Sequence, residues 1–396
     1  MDDSYYIAQV AIGAGESEAE ISAKYMAKVL LFKPEDGFAI LGMSKEVGEL
    51  SLLYSNRNQK SLMVAEASAS YSAGWRTWAG GWRTWAGGES SLSYSTFYEN
   101  QANWNLIHLN EAQNRAKQLG KGITVAILDT GFDLEHPALK NNLSPRASWK
   151  DFVDGDQQPE ESFGYFYGHG TAVAGIVLQI APQVTLLPIR VLNGNGEGDL
   201  SDVILAIDWA VQQGAQIINL SLGSKDSPQA MRAIIDYAFS KGVYITAATG
   251  NAGTLAIDFP ASEGNKLLSS LSDAVVSVGS TNSKGKRSSF SNYGSSLDIF
   301  APGEALRTLY PNNLQARVSG TSFATPIASA ALALALAEPA SKYQRRTGLF
   351  KANPANDLDS TANTGIITSQ NLFDLFTLGK GMIDLDSYLR AALSVW

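Results

Sequence analysis

One histidine and one serine lie in glycine-rich segments that suit acyl transfer. His169 lies in residues 168–175, where flanking glycines would expose its imidazole at the start of a helix. Ser322 lies in residues 320–326, just before an apolar helix that reaches Ala337. Histidine most readily acts as a general base near neutral pH, and the chain has no cysteine. The nucleophile must therefore be an oxygen or a nitrogen, although Ser322 taken alone is also a common helix N-cap.

Two more polar residues follow strand-like apolar segments. Asp129 comes directly after residues 123–128 and precedes Thr-Gly, a setting that by itself is more typical of a turn former. Asn251 follows residues 243–248, and its side-chain amide could donate to a developing oxyanion. The N-terminus of the helix at Ser322 would add unpaired backbone N–H groups to the same oxyanion.

From residue 122 onward, apolar runs rich in Val and Ile alternate with amphipathic helices such as residues 201–213. The predicted strands are residues 123–128, 184–192, 216–222, 243–248 and 274–279. Strands of this composition are buried on both faces, and the alternation predicts a mostly parallel sheet with helices on both sides. Active sites of such sheets lie at the carboxyl ends of the strands. Asp129 and Asn251 both fall at this edge.

The N-terminal part of the chain predicts a separate small α+β unit, residues 1–72. Residues 5–12 and 37–43 read as strands, and residues 16–31 read as a helix between them. A linker, residues 73–98, then contains the sequence GWRTWAG twice in tandem, with four of the eight tryptophans. We interpret this repeat as a duplicated linker; alternatively, its tryptophans dock on the enzyme or present a cleavable segment. Residues 99–396 form the remaining domain.

Composition excludes several classes of partner. The net charge of −8 argues against nucleic-acid and anionic-membrane partners, which need concentrated Lys and Arg. The longest apolar stretch, residues 327–337, is far shorter than the roughly 18 residues that suggest a membrane span. The first ten residues do not read as a secretory signal, and the alternative left open is that a signal was trimmed away. We nevertheless expect a secreted enzyme, with a cytoplasmic location as the alternative.

Together, the segments around Asp129, His169, Asn251 and Ser322 resemble the subtilisin-like serine proteases, in which Asp, His and Ser follow in this order. The resemblance extends over about residues 101–339 and includes shorter matches such as Phe-Pro-Ala at 259–261. It implies an α/β fold of three layers with a mostly parallel sheet, preceded by a small α+β prodomain.

The resemblance also implies roles for these residues. Ser322 attacks the scissile carbonyl, His169 takes and returns the proton, and Asp129 orients the imidazole. Asn251 and the Ser322 backbone N–H hold the oxyanion. The strand that pairs with an extended substrate consists of Ser221, Leu222 and Gly223. The implied activity is broad endopeptidase action on unfolded polypeptides, and we expect a monomer.

The N-terminal unit resembles the inhibitory propeptide of the same family, which is the second expected partner. Self-cleavage is then expected within residues 70–98, because polar and Gly-rich segments are easily cut. No cofactor is required for the chemistry. The loop that binds a tight calcium ion in many relatives is absent after Gly175, although Asp151, Asp154 and Asp156 could hold a weak ion; they read more simply as a solvated loop. Residues 345–377 are expected to be a surface excursion.

Two other functions compete with this hypothesis. A catalytically silent relative could act as a binding protein, but all four chemical positions carry the required residue types. A nucleotide-binding α/β enzyme is suggested by the glycines at 194, 196 and 198. That segment matches neither G-x-G-x-x-G nor the P-loop pattern, so the indication is weak.

Overall fold

The computed structural model describes residues 6–44, 63–66, 71–72, 97–264, 274–344, 353–363 and 378–394. The tandem repeat at 74–87 lies outside the described residues, as does nearly all of the predicted processing window. Of the expected excursion at 345–377, residues 353–363 are described.

The N-terminal unit is an antiparallel sheet with one helix. Its elements are β1 (Tyr6–Ala11), α1 (Glu18–Tyr25), β2 (Lys28–Lys33), β3 (Phe38–Met43) and β4 (Met63–Glu66). The strand order is β2-β3-β1-β4. Tyr6, Ala8 and Val10 of β1 pack against Ile21 of the helix in a small core of their own. The unit is therefore α+β, as the strand-helix-strand pattern predicts.

The predicted helix at residues 16–31 is too long. The helix ends at Tyr25, because Met26 adopts a left-handed backbone conformation with φ of 49°. Lys28–Lys33 then pairs antiparallel with β3. The apolar residues of this segment serve the sheet instead of a helix face, so tertiary pairing outweighs the local helical pattern.

The second domain is built on a parallel sheet. Its strands, with the short β5 that precedes them, are β5 (Tyr71–Ser72), β6 (Thr124–Asp129), β7 (Lys150–Asp151), β8 (Thr185–Arg190), β9 (Glu197–Gly198), β10 (Ile217–Leu220), β11 (Tyr244–Ala248), β12 (Val275–Thr281), β13 (Ile299–Pro302), β14 (Leu306–Tyr310) and β15 (Leu314–Val318). Seven of them form one sheet in the order β13-β12-β11-β10-β6-β8-β7, and every described pair in it is parallel. The five predicted strands are confirmed within two residues at each end.

Helices cover both faces of this sheet. They are α2 (Gln101–Leu106), α3 (Leu109–Arg115), α4 (His169–Ile180), α5 (Leu200–Gln212), α6 (Gln229–Ser240), α7 (Thr321–Ala337), α8 (Pro354–Ser360) and α9 (Leu385–Leu393). Single 3₁₀ turns lie at Tyr98–Asn100, Arg146–Ser148, Ala261–Glu263 and Lys342–Gln344. Val125 and Ile127 of β6 share a core with α4 and α7, whereas Ala126 and Leu128 share one with α5 and α6. The three-layer α/β class is confirmed.

β6 is the first strand of this sheet along the chain and lies inside it, between β8 and β10. The later strands are added on opposite sides of β6, so the strand order changes direction there. A crevice opens at the carboxyl ends of the strands where the order reverses, and ligands of open α/β sheets bind there. Asp129 ends β6, and Ser221 directly follows β10. None of the helices in the described part of the chain is long and apolar enough to cross a membrane.

The N-terminal unit packs against α5 and α6 of the second domain. Ile7, Phe38 and Ile40 belong to the same apolar core as these two helices. Lys33 Nζ lies 2.7 Å from Asp208 Oδ1 on α5, and both side chains are almost fully buried. The contact surface is thus apolar and encloses an ion pair. The ion pair fixes the position of the N-terminal unit on the second domain.

A second buried ion pair fixes the loop that leads to His169. Arg190 at the end of β8 lies 2.8 Å from Asp151 Oδ2, and Asp151 is fully buried. Arg190 also contacts Asp154 and donates to Ser162 Oγ at 2.8 Å. One guanidinium thereby joins two separate stretches of the loop.

We expect Arg190→Met to destabilise the second domain by about 3 to 5 kcal/mol, because it leaves the buried Asp151 carboxylate without its partner. Urea denaturation in a Ser322→Ala background, which would prevent self-digestion, measures this loss. The matched control is Arg390→Met, which removes an exposed guanidinium while Asp386 keeps its pair with Arg115, and it should cost less than about 1 kcal/mol. Equal losses for the two variants would contradict the importance of the Arg190 pair.

Candidate active site

Asp129 and His169 meet at the carboxyl edge of the sheet. Asp129 ends β6 and His169 begins α4, and neither side chain is exposed. His169 Nδ1 lies 2.6 Å from Asp129 Oδ1. The close approach needs Gly170, because a Cβ there would lie 2.1 Å from the Gly131 carbonyl oxygen. A carboxylate at this distance accepts a hydrogen bond from Nδ1–H and so fixes the orientation and tautomer of the imidazole.

Ser322 lies in the first turn of α7. Its Oγ donates to the Ser221 carbonyl oxygen at 3.1 Å, and Ser221 Oγ donates back to the Ser322 carbonyl oxygen at 2.7 Å. The ring of Phe323, the next residue, lies with its centroid 5.2 Å from that of the His169 imidazole. The structure therefore brings the first turn of α7 beside the Asp129–His169 pair.

The orientation of the Asn251 amide follows from its partners. Its Oδ1 accepts from the Thr321 N–H at 2.8 Å and from Thr321 Oγ1 at 3.0 Å. A backbone N–H can only donate, so the oxygen of the amide must face Thr321. Among the described residues, the buried Nδ2 of Asn251 has no acceptor. An N–H donor next to Ser322 is thus left available to an oxyanion.

The predicted substrate strand lies along the same crevice. Residues 221–223 follow β10 directly, and Asn219 Nδ2 donates to Ser221 Oγ at 2.9 Å. On the loop that follows β8, β9 pairs antiparallel with β5, which comes from the N-terminal part of the chain. The structure therefore shows one extended segment already paired with a backbone edge near the site.

The other two histidines are engaged elsewhere. His108 is partly exposed and lies 3.1 Å from Asp384. His136 is buried, and its Nδ1 accepts from the Ala138 N–H at 3.1 Å. Burial lowers the pKa of His136 and disfavours its charged form. Of the three histidines, His169 is the one that the structure places against Asp129.

The acidic loop at 151–156 is exposed from Asp154 onward, as its interpretation as a solvated segment predicts, but Asp151 departs from it. Asp151 is fully buried and, like Asp154, pairs with Arg190, so a guanidinium takes the place that a cation would need. Only Asp156 is exposed and without an ion pair in this loop. In the described ranges, no three His, Asp or Glu side chains cluster as a metal site requires.

Comparison with known proteins agrees with this geometry. A sequence profile of the Subtilase family matches residues 120–363. Subtilisin DY from Bacillus licheniformis is 35% identical over 281 residues, which are 68% of this chain and 91% of that protein. Thermitase from Thermoactinomyces vulgaris is 34% identical over 256 residues, 62% of this chain and 84% of thermitase. The crystal structure of a cold adapted subtilisin-like serine proteinase has a TM-score of 0.53 at 31% identity, covering 67% of this chain and 88% of that one.

The chain belongs to the subtilase family. It is a serine endopeptidase, and the subtilase match begins just before β6 and extends beyond α7, so it includes Asp129, His169, Asn251 and Ser322. The N-terminal unit lies outside the matched residues.

This subtilase contains a carboxyl group beside the Asp129–His169 pair that the sequence analysis missed. Glu161 Oε2 accepts from the Gly168 N–H at 3.0 Å and from Thr130 Oγ1 at 3.1 Å. Its Oε1 accepts from the Thr171 N–H and Oγ1 at 3.1 and 2.9 Å. Glu161 thus ties the turn after Asp129 to the N-terminus of α4. Its segment, Pro-Glu-Glu-Ser, looks like an ordinary solvated loop, and only its proximity to the His169 motif could have suggested this role.

Burial raises the pKa of Glu161 to about 8, and the nearby Asp129 charge adds to the rise. The carboxyl group is therefore mostly neutral at pH 7. In that state its O–H donates to one of the two threonine hydroxyl oxygens, and the direction of that hydrogen bond is reversed. Both oxygens still accept a backbone N–H in this state. An amide could not replace it, since its nitrogen has no lone pair to accept a backbone N–H.

We expect Glu161→Gln to lower the kcat of the subtilase by about 10- to 100-fold, since one helix-terminal N–H would face an amide NH₂ and misplace His169. The KM should change little, because the substrate strand is not touched. Steady-state kinetics on a peptide substrate measures both constants, and thermal unfolding shows whether the fold is kept. The control is Glu160→Gln, an exposed neighbour; equal kcat values for both variants would refute the positioning role.

Proposed function

We propose that Ser322, His169 and Asp129 are the catalytic triad of this subtilase and that the chain is a self-processing zymogen. The observation that carries the proposal is the buried 2.6 Å contact between His169 Nδ1 and Asp129 Oδ1, beside the helix whose first turn holds Ser322. A solvent-excluded carboxylate and imidazole in this geometry suit general-base catalysis on a neighbouring hydroxyl.

The reaction is an acyl transfer in two stages. Ser322 Oγ attacks the carbonyl carbon of the scissile peptide bond while His169 Nε2 takes its proton, and Asp129 stabilises the resulting imidazolium. The imidazolium then protonates the leaving amine as the C–N bond breaks. In the second stage water attacks the acyl carbon while His169 takes a proton from it. The imidazolium then returns this proton to Ser322 Oγ, and the acid product leaves. His169 carries every proton transfer between the hydroxyl, the leaving amine and water, so we propose that no cofactor takes part.

The tetrahedral intermediates carry a negative oxygen that needs donors. Asn251 Nδ2 is available, with its orientation fixed by Thr321, and the backbone N–H of Ser322 at the start of α7 is the second donor. These donors are held in place before the reaction begins, which is the condition under which they stabilise a transition state most.

The substrate is an extended or unfolded polypeptide. Residues 221–223 offer a backbone edge, and such pairing depends little on side chains. The antiparallel pairing of β5 with β9 supports this proposal, because it shows that a second backbone edge of this domain accepts an extended segment. β5 ends at Ser72, within the residues 70–98 in which we expect the cut.

The N-terminal unit is the proposed inhibitory propeptide. Its contact with α5 and α6 contains an apolar core and the buried pair of Lys33 with Asp208, which favours a specific complex over a passing contact. We further propose a secreted monomer, because a propeptide and a chain free of cysteine suit a secreted bacterial-type protease.

Mass spectrometry of the intact protein tests self-processing. The parent chain should lose an N-terminal piece that ends within residues 70–98, whereas Ser322→Ala should keep its full mass, because it lacks the nucleophile. If both chains stay whole, hydrolysis of unfolded casein by the parent decides between a stable precursor and a silent relative. Cleavage of Ser322→Ala at the parent's rate would refute the assignment of Ser322.

We expect Asn251→Ala to lower kcat by about 10²- to 10³-fold with little change in KM, since the donor acts on charge that develops only in the transition state. Kinetics on a peptide substrate measures this effect. The control is Asn282→Ala, an asparagine in an exposed turn away from the crevice. A loss confined to KM would contradict the oxyanion role.

A further inference from the structure

Two glycines that flank the reaction centre face the same carboxyl group. Gly223 ends the predicted substrate strand, and Gly250 directly precedes Asn251. A Cβ at Gly223 would lie 3.2 Å from the Cβ of Asp258, and a Cβ at Gly250 would lie 2.1 Å from Asp258 Oδ2. Because neither residue has a side chain, the backbones of both segments lie directly against the Asp258 side chain. We call the site between the two segments, with the partly exposed Asp258 at its base, the slot.

Backbone hydrogen bonds hold Asp258 to both walls of this slot. Its N–H donates to the Thr249 carbonyl oxygen at 3.0 Å. On the other side, the Phe259 N–H donates to the Ser224 carbonyl oxygen at 2.7 Å, and the Ser224 N–H donates to the Phe259 carbonyl oxygen at 2.8 Å. The backbone that carries the carboxyl group is therefore held by the segments that follow β10 and β11.

The carboxyl group has no hydrogen-bond or ion-pair partner among the described residues. It is partly buried, and burial raises its pKa to about 6, with the exposed Lys225 as the one charged group that opposes the rise. An anion that is shielded from water and lacks a partner is unfavourable unless a ligand supplies one. Above pH 6 the slot thus has a negative base and uncharged glycine walls.

We propose that Asp258 determines specificity and that the enzyme cleaves preferentially after lysine and arginine. The inference rests on the proposed function of Ser322 and Asn251, which hold the carbonyl group under attack. The slot opens between the two segments that carry those contacts, so the side chain of the same substrate residue enters it. A long aliphatic stem fits between glycine walls, and a cationic tip forms a charge-assisted hydrogen bond with Asp258. An apolar side chain would cover the carboxyl group without pairing it.

Peptide p-nitroanilides that differ only in the residue before the cleaved bond test this inference. Lysine and norleucine form the decisive pair, because norleucine has a similar aliphatic chain without the charge. The wild-type kcat/KM should be about 10- to 100-fold higher for lysine, as expected for a hydrogen bond between charged groups. Asp258→Asn should remove most of this ratio. The control Asp226→Asn changes the same charge on an exposed residue next to Lys225 and should leave the ratio unchanged.

The pH dependence of the same ratio gives a second readout. The chemical step is the same for both substrates, so ionisations that affect only that step cancel in the ratio. The ratio should rise from pH 5 to pH 8 as Asp258 loses its proton, with a midpoint near 6. In Asp258→Asn the ratio should be flat over this range.

The outcomes separate this inference from the function on which it rests. Ser322-dependent cleavage of both substrates at equal rates by the wild-type enzyme would overturn the role of Asp258 and leave the proposed function standing. That comparison needs no variant, so it decides the question even if Asp258→Asn does not fold. If the processed wild-type enzyme cleaves neither peptides nor casein, both proposals fail together.

Discussion

The buried contact between Asp129 and His169 imposes the strictest requirement on this fold. Removing a carboxyl group and an imidazole from water is costly unless they form a hydrogen bond with each other. Here that hydrogen bond joins the end of β6 to the start of α4. The two backbones can approach this closely because residue 170 is a glycine, whose Cβ would otherwise lie 2.1 Å from the Gly131 carbonyl oxygen. Glu161 binds the same two segments from the other side. The sheet fixes one partner of the pair and the helix fixes the other, so a shift of either element would expose or separate them.

The parts of the structure that depend on local sequence were predictable. Strands buried on both faces need continuous Val and Ile runs, and those runs place β6, β8, β10, β11 and β12 within two residues. Asp129, His169, Ser322 and Asn251 lie within two residues of a glycine at strand or helix ends, and this setting is visible in the sequence. The helix at 16–31 was wrong because the apolar residues after Met26 pair with β3, a contact that no local pattern records.

The residues that were missed acquire their roles from partners that are distant along the chain. Asp151 looks like part of a solvated acidic loop until Arg190, which follows it by 39 residues, encloses it. Glu161 lies in a polar segment, and its partner Thr130 lies 31 residues earlier. Asp258 precedes a family-like Phe-Pro-Ala motif but gains its position from Gly223 and Gly250. Sequence patterns predict which elements form, whereas these contacts depend on how the elements are finally placed.

Four carboxyl groups near this sheet edge share one constraint and satisfy it differently. Asp129 pairs with an imidazole, Asp151 with a guanidinium and Glu161 with backbone and hydroxyl donors. Each of these partners belongs to the chain, so each group can be structural or catalytic without a ligand. Asp258 is partly buried with no such partner, and the carboxyl group lies where side chains are absent from both walls. Burial without a partner is costly, so the compensating charge is best supplied from outside, and in a protease the molecule that enters this crevice is the substrate.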